Sequence, residues 1–304
     1  MNKVNLNTGI VYALLAYLLW GFLPVYWKTL NEVNAGAVLA HRIIWSFVFL
    51  SLLILLTKQT KPFLKAASLI FKSKKTTLTL FAASIVISLN WLVFIWAVQN
   101  DFVIQTSLGY YINPLISVVM GILFLKERLS IAQGLAVGLA AISVLYLTFS
   151  YGVFPWVSLI LAFSFATYGL LKKFIVINSI YSLTIETLFI TPIALIFLMF
   201  FNQANPNFTE FSPLIIILLI GAGVATAVPL ILFGKAVQEL SLSFIGILQY
   251  LAPTIMLILG IFIYGETFTK SHLISFVFIW LALIIYMTSS FMENSNKSKY
   301  SQLS

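Results

Sequence analysis

Residues 94–127 read FIWAVQNDFVIQTSLGYYINPLISVVMGILFLKE, and residues 233–266 read FGKAVQELSLSFIGILQYLAPTIMLILGIFIYGE. Shifted by 139 positions, the two stretches align without a gap. Phe94 meets Phe233, and Ala97-Val98-Gln99 meets Ala236-Val237-Gln238. Tyr111 meets Tyr250, Pro114 meets Pro253, Gly121 meets Gly260 and Glu127 meets Glu266. Apolar matches between two greasy segments would carry little weight. Gln, Tyr, Pro, Gly and Glu coinciding in one register point to an internal duplication.

The composition says what is duplicated. Of 304 residues, 61% are hydrophobic and 8% charged, with a mean hydropathy of +1.06. A soluble domain carries about 25% charged residues, so this chain cannot cover a water-facing surface. Hydropathy divides it into ten apolar stretches, at residues 9–26, 36–57, 78–98, 103–125, 131–148, 154–171, 180–201, 213–233, 242–263 and 272–290. Each has about the length needed to cross a bilayer as a helix. A helix satisfies its backbone hydrogen bonds internally, as lipid demands. Membrane β-strands alternate apolar and polar residues, and these runs do not. The fold predicted is all-α and integral to a membrane, with ten transmembrane helices.

The duplication assigns five helices to each repeat, 1–149 and 150–290, with 291–304 a polar, disordered cytoplasmic tail. Five is odd, so the second repeat enters the membrane from the opposite side. Such inverted repeats are common in secondary transporters, where they make two access states near-equivalent. The bases agree with ten spans. Lys3, Lys58, Lys61, Lys65, Lys72, Lys74, Lys75, Lys126, Arg128, Lys172, Lys173, Lys235, Lys297 and Lys299 fall on one set of alternating ends. Only Lys28 and Lys270 fall on the other, and Arg42 lies inside a span. The positive-inside bias places both termini in the cytoplasm. The basic balance therefore follows topology and does not signal nucleic acid.

Several residues break the apolar rule. Pro114 and Pro253 sit near the centres of spans 4 and 9. Each removes an N–H and displaces the carbonyl four residues earlier, those of Tyr110 and Gln249. Paired Pro-interrupted helices point to a transport site; simple packing kinks are the alternative. Pro24 and Pro229 add breaks in spans 1 and 8. Trp20, Asn90, Trp91, Tyr110, Tyr111, Asn113, Thr226, Gln249 and Tyr250 are the candidate cavity residues, with polar glue between helices as the competing reading. Arg42 and Glu186 are the intramembrane charges, about 12 Å apart in depth at 1.5 Å per residue. Arg42 either faces the bundle interior or snorkels to the outer interface. Glu186 is either a proton-coupling carboxylate or a hydrogen-bonded acid holding helix 7 to helix 6. Asp101, Glu32 and Glu210 lie in outer loops. Glu127 and Glu266 read as pairing residues beside their spans.

These residues also carry a resemblance. Trp20-Gly21 with Pro24, His41-Arg42 with Trp45-Ser46, Asn90-Trp91, Ser107-Leu108-Gly109-Tyr110-Tyr111-Ile112-Asn113-Pro114 and Lys126-Glu127-Arg128 resemble the RarD proteins. So do Thr226-Ala227-Val228-Pro229 and Leu248-Gln249-Tyr250 with Pro253-Thr254. RarD proteins are a branch of the EamA family of drug/metabolite transporters. The resemblance implies a bacterial inner-membrane protein in which helices 1, 3, 4, 6, 8 and 9 surround a cavity. It also implies export of amino acids, metabolites or drugs, whereas alternating access is the expectation from the inverted repeat and proton coupling the expectation from Glu186.

With no cysteine and two histidines, thiolate chemistry and His-rich metal centres are excluded. No hydrolase, zinc-protease or nucleotide-binding motif occurs, so no enzyme activity, metal or cofactor is expected. The expected partners are a small-molecule substrate and the lipid bilayer, with a monomer or homodimer and no nucleic acid. A structural or regulatory membrane subunit is the rival function, and a membrane-embedded enzyme a weaker one.

Overall fold

The computed structural model describes residues 6–99, 102–152, 154–200, 211–263 and 269–303. Among them are twelve helices and no strand: α1 (Leu6–Lys28), α2 (Ala35–Leu56), α3 (Thr60–Lys72), α4 (Lys74–Gln99), α5 (Val103–Leu125), α6 (Ile131–Tyr151), α7 (Trp156–Phe174), α8 (Ser179–Phe200), α9 (Pro213–Glu239), α10 (Leu242–Leu248), α11 (Leu251–Phe262) and α12 (Lys270–Leu303). Ten segments of the described residues are long and apolar enough to cross a membrane, with α10 and α11 together forming one. The chain is a multi-pass membrane protein. Asp101, Glu210 and Glu266 lie outside the described residues, as does the side chain of Ser107.

The helices start and stop where local chemistry dictates. Asn34 caps α2 by accepting from the Gly36 N–H at 2.8 Å. Ser130 and Gln133 form a reciprocal capping box at α6, satisfying two donors that the first turn leaves open. Ser212 caps α9, whose first turn carries Pro213, where a missing N–H costs nothing. Gly152 ends α6 at φ 67°, a left-handed conformation that glycine adopts without a Cβ penalty.

Three local readings need correction. The loop expected between spans 2 and 3 contains α3, an amphipathic helix. Its Ile70 is buried, while Phe63 packs edge-on to Tyr181. The tail expected to be disordered continues α12 as far as Leu303; residues 288–303 contain no Pro or Gly to stop a helix already under way. Pro253 does break its span, but the break falls at Gln249–Tyr250, between α10 and α11. The Gln249 carbonyl, expected to be freed, accepts from the Ala252 N–H at 3.2 Å.

The outside of the bundle is apolar, with Leu55, Leu123, Phe149, Ile193 and Ile284 all exposed. The inside carries small and polar residues such as Ala13, Ser46, Ser84, Ser143 and Thr226. That inversion fits lipid, where close packing and interhelical hydrogen bonds replace hydrophobic burial between helices. Gly223 shows how close the approach is. A Cβ built there would stand 2.6 Å from the Ser46 amide nitrogen, and Ser46 Oγ donates to the Gly223 carbonyl at 3.0 Å.

The main helix contacts are α1 with α9, α4 with α7, α5 with α7, α1 with α11, α2 with α9, α4 with α8, α2 with α8, α5 with α10 and α6 with α12. In span numbers these are 1–8, 3–6, 4–6, 1–9, 2–8, 3–7, 2–7, 4–9 and 5–10. Exchanging the first five spans for the last five turns every one of these pairs into another of the set, or into itself. At the 5–10 contact, Ser143 and Ser275 each donate a hydroxyl to the other's carbonyl, at 2.8 and 3.3 Å.

Candidate functional site

Four helices converge on Arg42. It stands in the second turn of α2 and is 7% exposed. Its Nε donates to Thr226 Oγ1 on α9 at 3.1 Å. Its guanidinium carbon lies 4.3 Å from the ring centroid of Trp27 on α1 and 4.7 Å from that of Trp91 on α4. Cation–π attraction of this kind strengthens when the pair is withdrawn from water. Tyr110 on α5 packs edge-on to Phe94 at 5.8 Å. The snorkelling alternative for Arg42 is therefore overturned: the side chain turns inward, because Thr226 and two indoles offer partners that lipid does not.

Trp91, Thr226 and Arg42 are thus brought together. Trp27 belongs with them and was missed. It lies next to Lys28 at a span end, where an interfacial tryptophan raises no suspicion.

The other predicted residues are distributed around this cluster. Trp20 packs with Tyr17, Phe165 and Phe233 at centroid distances of 5.6–5.7 Å. Pro24 follows one turn later in α1, ahead of Tyr26, whose hydroxyl donates to the Leu218 carbonyl. Asn90 Nδ2 donates to the Leu161 carbonyl and Ser164 Oγ at 2.9 and 2.8 Å, tying α4 to α7. Asn113 Oδ1 accepts from Ser117 Oγ at 3.4 Å. Tyr111 packs edge-on to Phe276 on α12 at 5.4 Å. Tyr250 is fully buried, and its hydroxyl donates to the Tyr111 carbonyl at 3.2 Å. Gln249 is buried at the α10–α11 break. Pro114 and Pro229 are accommodated inside continuous helices. The Pro114 carbonyl lies 2.8 Å from where a Gly246 Cβ would be, so α10 seats closely on α5.

Glu186 and Arg42 do not meet. Glu186 Oε1 pairs instead with Lys172 Nζ at 2.6 Å, with 2% and 3% of the two side chains exposed. Glu186 Oε2 accepts from the Tyr168 hydroxyl at 3.1 Å. Lys172 also donates to Ser182 Oγ at 2.7 Å. Reading Lys172 as a loop-end base therefore missed its role. It stands two residues from the end of α7, and its long stem carries the ammonium inward. A crevice of about 20 Å³ adjoins Glu186, bordered by Ser84, Ser88, Trp91 and Thr187. That volume suits a single water molecule. Trp91 thus stands between the Arg42 cluster and the Glu186 pair.

A larger cavity, about 240 Å³, opens beside α12 where α5 and α9 end and α6 and α10 begin, lined by Glu127, Gln133, Ser243 and Tyr286 among others. The Glu127 carboxylate accepts from the Leu242 and Ser243 N–H groups at 2.7 and 2.8 Å and from Ser243 Oγ at 2.6 Å. Beside it, Lys173 Nζ donates to the Val237 carbonyl at 2.7 Å and to that of Leu240. Among the described residues, no group of three His, Cys, Asp or Glu side chains could hold a metal ion.

Comparison with known proteins places this architecture. The model of the EamA-like transporter family matches residues 7–149 and 155–288. The uncharacterized transporter YojE of Bacillus subtilis is 46% identical over 290 residues, covering 95% of this chain and 96% of that protein. Protein RarD of Escherichia coli is 38% identical over 300 residues, covering 98% and 100%. A Pseudomonas aeruginosa relative named chloramphenicol-sensitive protein RarD is 30% identical, covering 91% and 92%. A crystal structure only 13% identical superposes with a TM-score of 0.71 over 93% of this chain and 98% of its own, which speaks to the fold alone.

Proposed function

The chain belongs to the EamA-like transporter family, and on that premise we propose that it is a secondary exporter of a small organic solute, working by alternating access. The observation that carries this is the exchange relation between its halves: swapping the first five spans for the last five preserves the main helix contacts. That relation supports two inverted repeats, 1–149 and 150–290, with two access states of similar energy. The chain acts by moving its solute, without chemical conversion. It resides in the bacterial inner membrane with both termini cytoplasmic, a topology supported by its base-rich ends.

The solute path runs past the Arg42 cluster, between spans 1, 2, 3, 4 and 8. Tyr110, Asn113, Gln249 and Tyr250 belong to the path through the span 4–9 contact. Glu186 is the coupling carboxylate. In one access state it is paired with Lys172, and in the other it takes up a proton when the pair parts.

Flux into proteoliposomes, with and without a pH gradient, tests the reading. A solute panel that includes chloramphenicol, chosen from the relatives' names, should reveal at least one gradient-stimulated flux. A complete lack of flux across a broad panel would refute the transporter. Glu186→Gln with Lys172→Gln removes titration without stranding either charge. This double variant should keep solute exchange and lose gradient-driven accumulation; full accumulation would remove Glu186 from the coupling role.

A further inference from the structure

We propose that Arg42 is the anchor for a carboxylate on the transported solute, so that the cargo is a small organic monoanion with an aromatic or apolar body. The inference rests on the transporter reading and narrows it to a substrate class. It starts from a charge balance. Lys172, the other deeply buried cation, has Glu186 against it at 2.6 Å. Arg42 is equally deep in the protein and has no carboxylate against it among the described residues. A charge inside a membrane protein is costly and is kept where it faces a partner or a pathway. Thr226 occupies only Nε. An arginine has five N–H donors, and the four on Nη1 and Nη2 have no acceptor among the described residues. The indoles of Trp27 and Trp91 attract the cation through their faces but accept no in-plane hydrogen bond.

What remains is one positive charge with a planar pair of donor groups, a geometry that matches a carboxylate's two oxygens. The single charge also selects. A monoanion neutralises the site, whereas a phosphate dianion would leave a buried negative charge uncompensated. Lys172 cannot supply the missing balance, since Glu186 already holds it. The indoles of Trp27 and Trp91, which flank the guanidinium, then receive the remainder of the molecule.

The test uses the full-length protein in lipid nanodiscs, read by tryptophan fluorescence. The probes are benzoate and phenylacetate, each against its neutral amide. The acids should give a saturable change, and the amides should need a concentration at least about tenfold higher, the factor expected for a lost charge-assisted hydrogen bond. Arg42→Gln should abolish acid binding. Arg42→Lys should weaken it about tenfold or more, because an ammonium lacks the fork. Thr226→Val, which only releases Nε, should weaken it less. Should the Arg42 variants fail to fold, the wild-type comparison of acid with amide decides alone. Equal binding of acid and amide, or saturable binding of neither, overturns the proposal, as does acid binding by Arg42→Gln. The outcomes separate from those of the transport reading. Flux of a neutral solute without carboxylate binding removes the anion site and leaves a transporter. Carboxylate binding without any flux does the reverse.

Discussion

The hydroxyl of Tyr250 donates to the carbonyl of Tyr111 at 3.2 Å, and the two tyrosines are 139 residues apart, the same offset that aligns the chain with itself. Residues that correspond in the two halves therefore touch across the contact between spans 4 and 9. Such a contact is what the two inverted repeats proposed above would give if their axis ran through that interface. The break at Gln249–Tyr250 places this ring, and Gly246 lets α10 close on Pro114. Tyr250→Phe keeps the packing and removes one hydrogen bond between the two spans. A loss of about 1 kcal/mol is expected, read as a lower unfolding temperature in detergent with the fold retained.

Lys172 and Glu186 should behave as one unit. Removing either charge alone leaves the other buried without a partner, at a cost of about 3–5 kcal/mol. Lys172→Met and Glu186→Leu should each unfold at markedly lower temperature than wild type. The double variant should recover most of that loss, because neither charge then needs a counter-charge. Thermal melts of the four proteins check this; additive losses would mean the pair is not coupled.

Gly223→Ala should be poorly tolerated. The added methyl meets the backbone of Trp45 and Ser46, and backbone cannot rotate away as a side-chain tip can. Overpacking of this kind costs about 1–3 kcal/mol. Gly134 and Gly138 in α6 have open space around the same position. Ala there should be neutral or stabilising by about 0.5–1 kcal/mol. Yield of monodisperse protein on gel filtration distinguishes the two classes.

Glu127 ties the loop after α5 to the first turn of α10 with three hydrogen bonds. Glu127→Ala should loosen that end of the bundle. The chain has no cysteine, so a single cysteine placed at Leu129, on the cavity wall, reports directly. Its labelling rate should rise severalfold in the Glu127→Ala background, and an unchanged rate would show that Lys173 and its two carbonyl acceptors suffice.

The topology is checked in the same way. A cysteine replacing Lys65 on α3 should resist an impermeant label in intact cells and react once the membrane is opened. Labelling from outside would reverse the orientation argued from the bases.

How far the sequence alone reached follows from what each feature depends on. The ten spans were legible because insertion into lipid is decided residue by residue and summed over about 20 positions; no long-range information is needed. Pro253 announced a break for a similar reason, since a missing N–H acts within one turn. α3 escaped because its apolar residues are interleaved with lysines, which lowers the average while leaving an apolar face. The side-chain partners were hidden for a different reason. Arg42 and Thr226 are 184 residues apart, and Trp27 and Trp91 reach the same guanidinium from two further helices. Which face of each helix meets which neighbour is set by close packing at positions such as Gly223. Lys172 looked like a loop-end base because hydropathy locates its Cα and not its ammonium. Chain order and membrane depth were thus written in local composition. The pairing of charges was decided only by tertiary structure, because a buried cation takes whatever partner the packed helices bring within reach.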